Sequence, residues 1–444
     1  MSGHDVGAID MTRPVGFSPT EQATMGKVAR RVMPLLMASY VVCYLDRVNV
    51  GFAALTMNQA LGFSATVFGL GAGLFFIGYI AGEVPSNLMM QRFGGRRWIA
   101  RIMITWGIAS GVMAAVSGET SFYVVRFLLG LAEAGFFPGV ILYVTWWFPA
   151  DYRGRIIGLF LFAAPLSSVI GGPLSGAVLG LDGIGGLAGW QWLFILEALP
   201  SVLVGIAVLC FLTDRPAEAS WLQPAERTWL GERLARERTI KEQTGGDFSI
   251  GKAFVHPRVW ALGIAYIGGT LTNYSLFLWT PQIIKAFGGL SNFQTGLLNM
   301  IPFICGGIAN IVVCRHSDIK RERLWHVVGS ALLTSVGFAA CALCSFLEAP
   351  VLMMVALCVA AFGSFGLVSS FWLLPTAFLV GTGAATGLAL INCIGNFGGF
   401  LGPYIIGILR DLFGNFAIAL LPIAVGPLVS AAIILCLRRA VADR

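Results

Sequence analysis

Residues 32–57 read VMPLLMASYVVCYLDRVNVGFAALTM. The run is apolar throughout except near its middle, where Asp46 and Arg47 stand side by side. About 20 apolar residues suffice to cross the hydrocarbon core of a bilayer as one helix. An ionisable group at the centre of such a helix costs at least roughly 2.5–3.5 kcal/mol, so it is kept for pairing, transport or proton handling. This one stretch therefore predicts a membrane helix and a polar site at mid-depth.

The remainder extends the pattern. Of 444 residues, 57% are hydrophobic and 11% charged, whereas a soluble domain carries about 25% charged residues. That balance excludes a water-soluble globular protein of this size. Twelve spans are read at 32–57, 65–90, 98–117, 121–147, 155–180, 190–213, 258–285, 293–314, 325–346, 350–373, 382–409 and 415–437. The expected fold is all-α, with two pseudo-symmetric six-helix halves in the membrane. The divisions are a poorly ordered tail (1–31), a first half (32–213), a linker (214–257), a second half (258–437) and a closing tail (438–444). In the linker, Glu232 with Arg236 and Glu237 with Lys241 are i,i+4 pairs in the favourable order.

The net charge of +7 does not imply nucleic acid, because the charges sit in short clusters between apolar blocks. Lys27, Arg30 and Arg31, then Arg92, Arg96 and Arg97, Arg153 and Arg155, the stretch Arg215 to Arg258, Arg315 to Arg323, and Arg438 with Arg439 fall on one side. Only Lys285 and Arg410 fall on the other. Cytoplasmic loops collect Lys and Arg, so both termini are expected in the cytoplasm. No apolar leader precedes the first span, and no cleavable signal is expected.

Catalytic chemistry is not expected. The four His, at 4, 256, 316 and 326, fall in the tail or in loops, which disfavours a metal centre or His-based catalysis. Cys341 and Cys344 form a CxxC in an apolar helix without His or acid nearby, so no disulfide, metal or cofactor is expected. No GxxxxGK[ST] phosphate loop occurs, which excludes an ATP-driven pump in a single chain.

The halves echo each other. Gly171-Gly172-Pro173 with Gly176 in the fifth span has a counterpart six spans later, Gly402-Pro403 with Gly407. Paired six-helix repeats with a site between them are the architecture of secondary carriers. The charged residues read as lying inside the hydrocarbon are Asp46, Arg47, Glu83, Arg126, Glu133 and Glu197, all in the first half. Tyr40, Tyr44 and Arg47 share a helix face at i, i+4, i+7, as do Arg126, Gly130, Glu133 and Phe137, and Tyr79 joins the same cavity. The second half offers neutral groups: Tyr266, Thr270, Asn273 and Tyr274, then Ser369 and Ser370, then Asn392 and Asn396. If Asp46 and Glu133 are ionised, they cancel Arg47 and Arg126. Protonating them leaves an electropositive cavity that accepts a carboxylate, with Arg47 suited to grip it bidentately. Glu83 and Glu197 read as structural or gating groups. A buried ion-pair network that only locks helices together remains the alternative at this stage.

At these residues the chain resembles the anion:cation symporter family of the major facilitator superfamily. The resemblance rests on Tyr44-Leu45-Asp46-Arg47-Val48-Asn49-Val50-Gly51, Glu83-Val84-Pro85-Ser86-Asn87, Arg126 to Gly130, Glu133 to Gly139, Trp147-Phe148-Pro149, and Ile391-Asn392 through Gly402-Pro403. Within that family it is most similar to bacterial tartrate and phthalate permeases. The resemblance implies proton-coupled uptake of an organic anion across a bacterial inner membrane, in a chain that works as a monomer. It implies proton coupling at Asp46 and Glu133, and carboxylate binding at Arg47. It assigns substrate contacts to Tyr44, Tyr79 and Asn392, to which Asn273 and Ser370 are added as neutral donors. It gives gating and a charge network to Arg126, with the loop residues Arg92 and Asp318. Gln91 replaces the acid usual before the Arg92-Phe93-Gly94 run, which predicts a weaker gate there. Pro165, where sugar-acid members carry a polar residue, favours a less hydroxylated substrate. Export or exchange of an anion, and a carrier-fold sensor, are the competing functions.

Overall fold

The computed structural model describes residues 19–244, 254–320, 322–372, 374–375 and 384–438. Arg321, Arg439 and the side chain of Lys241 lie outside the described residues.

The first half comprises α1 (Pro19–Leu61), α2 (Ala65–Phe93), α3 (Gly95–Val112), α4 (Glu119–Glu133), α5 (Phe136–Trp147), α6 (Ala150–Leu161), α7 (Ala163–Val178) and α8 (Gly189–Phe211). A linker helix α9 (Pro224–Thr244) follows. The second half comprises α10 (Pro257–Lys285), α11 (Asn292–Lys320), α12 (Leu324–Phe346), α13 (Pro350–Phe371), α14 (Ala384–Phe413) and α15 (Phe416–Cys436). Taken as spans, α4 with α5 and α6 with α7 each make one crossing, giving twelve in two halves.

Eleven of these crossings are long and apolar enough to pass a membrane. The twelfth, α10, is more polar because it is wrapped by protein rather than lipid. Thr270, Thr272, Asn273, Ser275, Thr280 and Gln282 are all buried along it. Lipid-facing helices show the opposite pattern. On α8, Leu199, Leu203 and Ile206 are exposed while Glu197, Ser201 and Gly205 point inward at four-residue spacing. The exposed apolar rows form the belt that hydrocarbon covers.

Three local expectations change. The fourth span is not continuous. It breaks at Ala134-Gly135, where Gly135 takes φ +81°, a conformation that glycine adopts without a Cβ penalty. The fifth divides at Phe162. The first helix begins at Pro19, so residues 19–31 of the expected tail are helical. That segment docks on the linker helix, with Lys27 donating to Glu226 at 2.9 Å and the Trp229 indole donating to Glu21 at 3.0 Å. α9 reaches further, through Arg233 to Asp151 and Glu237 to Arg153 and the Ala150 N–H. Glu237 thus caps the start of α6, and the linker straps the loops of the first half.

The halves meet along α2 with α14, α7 with α11, and α1 with α10. Small residues let backbones touch there. A Cβ on Gly172 would lie 2.7 Å from the carbonyl oxygen of Gly296, and one on Gly51 would lie 2.9 Å from that of Leu278. These contacts concentrate at the end of the bundle away from the termini. At the same end Asp411 accepts from the Ala65 N–H at 3.0 Å and the Thr66 N–H at 2.7 Å. A carboxylate from α14 in one half therefore caps α2 in the other.

Candidate functional site

A cavity opens between the halves at mid-depth. Its walls are Tyr40, Tyr44 and Arg47 of α1, Tyr79 of α2, Phe137 of α5, Pro165 of α7, Tyr266, Asn273 and Tyr274 of α10, Asn310 of α11, Ser369 and Trp372 at the end of α13, and Asn392 and Asn396 of α14. Among the described residues of this lining, Arg47 is the one charged group.

Arg47 is held from several directions. Its Nε and Nη2 donate to Oε1 of Glu133, an ion pair between a fully buried acid and a largely buried guanidinium. Its Nη1 donates to the Tyr274 hydroxyl at 2.8 Å, across to the other half. Three rings surround the guanidinium, Tyr44, Phe75 and Tyr79, with centroids 5.3, 5.5 and 5.2 Å away. Each such face attracts a cation by about 0.5–2 kcal/mol, more as water is excluded. Glu133 takes a further contact from the Cys43 thiol at 3.1 Å, and its Oε2 has no hydrogen-bond partner among the described residues.

Asp46 turns away from this cavity. It points into the first half, where the Trp106 indole donates to Oδ2 at 3.0 Å and the Ser110 hydroxyl to Oδ1 at 2.7 Å. The Ser201 hydroxyl of α8 joins Oδ2. Asp46 and Arg47 are therefore not partners. Arg126, expected in a charge network, is buried without an ion pair among the described residues. It donates to the carbonyls of Gly71 at 3.4 Å and Ala72 at 3.2 Å and lies 5.0 Å from the Phe75 ring.

Of the expected substrate contacts, Tyr44, Tyr79, Arg47, Asn273 and Asn392 line the cavity. Ser370 does not; its hydroxyl bonds the Gly366 carbonyl at 2.5 Å, and Ser369 lines the wall instead. The Asn392 amide is engaged, donating to Glu83 Oε1 at 2.7 Å, and Cys393 lies 3.2 Å from Oε2. Glu83 thus joins the halves across the cavity. Arg92 and Asp318 are exposed at the ends of α2 and α11, outside the cavity. The acid missing before Arg92 has a spatial replacement: Asp214, after α8, accepts from the Arg96 N–H at 2.7 Å. Tyr274, expected as a neutral group of the second half, lines the wall, whereas Asn310 and Trp372 as cavity walls and Trp106, Ser110 and Ser201 as partners of Asp46 were not expected from the sequence. The i,i+4 spacing of Trp106 with Ser110, and of Glu197 with Ser201, was the signal available for the second group.

The model of the Major Facilitator Superfamily matches residues 36–403. A protein of Agrobacterium vitis named "Putative tartrate transporter" is 49% identical over 422 residues, 95% of this chain and 96% of its own. The "Quinolone resistance transporter" of Acinetobacter baumannii is 43% identical over 400 residues, 90% and 91% of the two chains. Among solved structures, a bacterial homolog of the lysosomal transporter Spinster, inward-facing and unoccupied, has TM-score 0.75 at 15% identity, covering 96% and 99% of the two chains. The xylose transporter XylE from E. coli, partially occluded and inward open, has TM-score 0.72 at 13% identity, covering 92% and 98%. With twelve crossings in two halves around a polar cavity, and with its transporter relatives matched nearly end to end, the chain is a multi-pass membrane transporter and belongs to the Major Facilitator Superfamily.

Proposed function

We propose that this transporter imports a small organic carboxylate of the tartrate type by proton symport, across a bacterial inner membrane with both termini cytoplasmic. The observation that carries the reading is the state of Arg47. Among the described residues the cavity holds one cation, and Glu133 occupies two of its donors. A substrate carboxylate matches the same fork. It displaces Glu133 at low cost only when a proton neutralises that acid, because an unpaired carboxylate left in the bundle costs several kcal/mol. Anion and proton then bind cooperatively, each raising the affinity for the other. Tyr274 ties Arg47 to the second half, so binding at Arg47 is felt by both halves. Asn273, Asn310 and Asn396 supply neutral donors and acceptors for hydroxyls or a second carboxylate. In this reading Asp46 and Glu133 are the proton sites, and Arg126, Arg92 and Asp318 belong to gating. The name of the Agrobacterium relative supports tartrate as the first substrate to try.

The test is uptake of tartrate, phthalate and a sugar acid into proteoliposomes with an inward proton gradient. One acid is expected to accumulate. Glu133→Gln and Asp46→Asn are expected to lose accumulation driven by the gradient while keeping exchange of internal for external acid. Failure of every acid to accumulate under any gradient would sink the reading. The name of the Acinetobacter relative favours outward transport as a second reading. Uptake into everted vesicles, absent from right-side-out ones, would select it.

A further inference from the structure

The first half contains a second acidic cluster, which the cavity does not use. Glu197 of α8 is 2% exposed and Asp46 of α1 is 1% exposed. They approach each other from two facing stripes, Asp46 with Asn49 on α1 and Glu197 with Ser201 on α8. Glu197 Oε1 takes the Ser175 hydroxyl of α7 at 2.6 Å. The Asn49 amide, itself 1% exposed, is the hydrogen-bonding neighbour of the Glu197 carboxyl, and neither Glu197 Oε2 nor that amide has another partner among the described residues. Asp46 is the charged group that faces Glu197 from α1. The facing groups of α3 are Trp106 and Ser110, and that of α7 is Ser175, all uncharged. No arginine or lysine pairs with either acid among the described residues.

Two ionised carboxylates in such a place, with no cation, carry a desolvation cost of several kcal/mol each. The surroundings suit a bound proton. The Trp106 N–H can only donate, so it fixes Oδ2 of Asp46 as an acceptor, while the hydroxyl of Ser110 rotates to donate to Oδ1 or to accept from it. The Asn49 amide can turn its carbonyl oxygen to an acid proton on Glu197 or its N–H₂ to the carboxylate. Both protonation states can then be satisfied by rotation alone. Glu197 lies eight residues from the start of α8 at Gly189, roughly 12 Å along the helix from the end of the bundle away from the termini.

We propose that Glu197 is a further proton-binding site beside Asp46 and Glu133, coupled to Asp46 and set toward the far end of the first half. It rests on the reading of the chain as a proton-coupled carrier. Protons bound there load the first half before substrate enters, and Asp46 connects them through α1 to Arg47, its neighbour in the chain.

Two measurements test it on the full-length protein. Infrared difference spectra of the purified protein in lipid, without substrate, are expected to show a titrating carbonyl band of a neutral carboxylic acid. Glu197→Gln should remove part of that band, and Ser175→Ala should shift its frequency. In proteoliposomes Glu197→Gln should lower gradient-driven tartrate accumulation by roughly tenfold or more, with exchange close to wild type. An unchanged band in Glu197→Gln, or unchanged accumulation, overturns the proposal. If Glu197→Gln does not fold, an unmoved band in Ser175→Ala overturns it instead. A wild type that shows the Glu197 band but carries no acid overturns the transport reading and leaves the proton site standing.

Discussion

At 3.6 residues per turn, successive side chains leave a helix about 100° apart. Asp46 and Arg47 therefore serve different neighbours, one facing α3 and α8 and the other the cavity. The cavity face was legible in the sequence, because Tyr40, Tyr44 and Arg47 repeat at helical spacing and helical spacing survives into any fold. The partners of Asp46 were not, because they come from α3 and α8, whose approach is decided by packing. Adjacent in sequence, Asp46 and Arg47 leave the helix in different directions and take separate partners. The fork of Arg47 yields a direct expectation. Lysine keeps the charge but cannot reach Glu133 and Tyr274 together. Arg47→Lys is expected to raise the KM for substrate roughly tenfold to a hundredfold, the loss of one or two charged hydrogen bonds, measured as initial uptake against concentration.

At the scale of elements, the twelve crossings were readable because a bilayer sets their length and apolarity. The break between α4 and α5 was not, since residues on both sides of Gly135 stay apolar and hydropathy is blind to φ. The break sets Glu133 at the last residue of α4, where it reaches Arg47. Gly135 has φ +81°, and a Cβ there would strike Ser86 of α2. Gly135→Ala is expected to cost about 1 kcal/mol or more, read as a lower midpoint in thermal unfolding in detergent. The contact of α7 with α11 makes a different prediction. Gly172→Leu forces the two backbones apart, so it should favour opening of the far end. Accessibility of a cysteine placed at Asn292 to a membrane-impermeant maleimide should rise; no change would mean that this seam does not close the path.

For the whole molecule, the two halves are joined by contacts at opposite ends. Glu83 with Asn392 and Cys393 lies toward the end bearing the termini. The repeat of Gly-Pro motifs announced paired halves, and the paucity of charge announced a membrane, but neither indicates which side is shut. That depends on small energy differences between two packings of one sequence. Replacing Glu83 by alanine frees Asn392 and uncovers Cys393. Alkylation of Cys393 is expected to quicken in the variant, and substrate is expected to slow it by occupying the cavity.

Asp411 caps the first turn of α2 from across the molecule. A side-chain cap of this kind contributes about 0.5–2 kcal/mol to a helix. In the proposed transport cycle the helix and its cap belong to bodies that separate, so the contribution belongs to one conformer only. The cap therefore acts as a weight on a two-state balance rather than as a brace. Asp411→Ala should leave each half as stable as before yet multiply the ratio of molecules open at the far end to those closed there by roughly twofold to thirtyfold. A helix end that in most proteins only prevents fraying would set, in the proposed cycle, how much of its time the carrier spends facing each side.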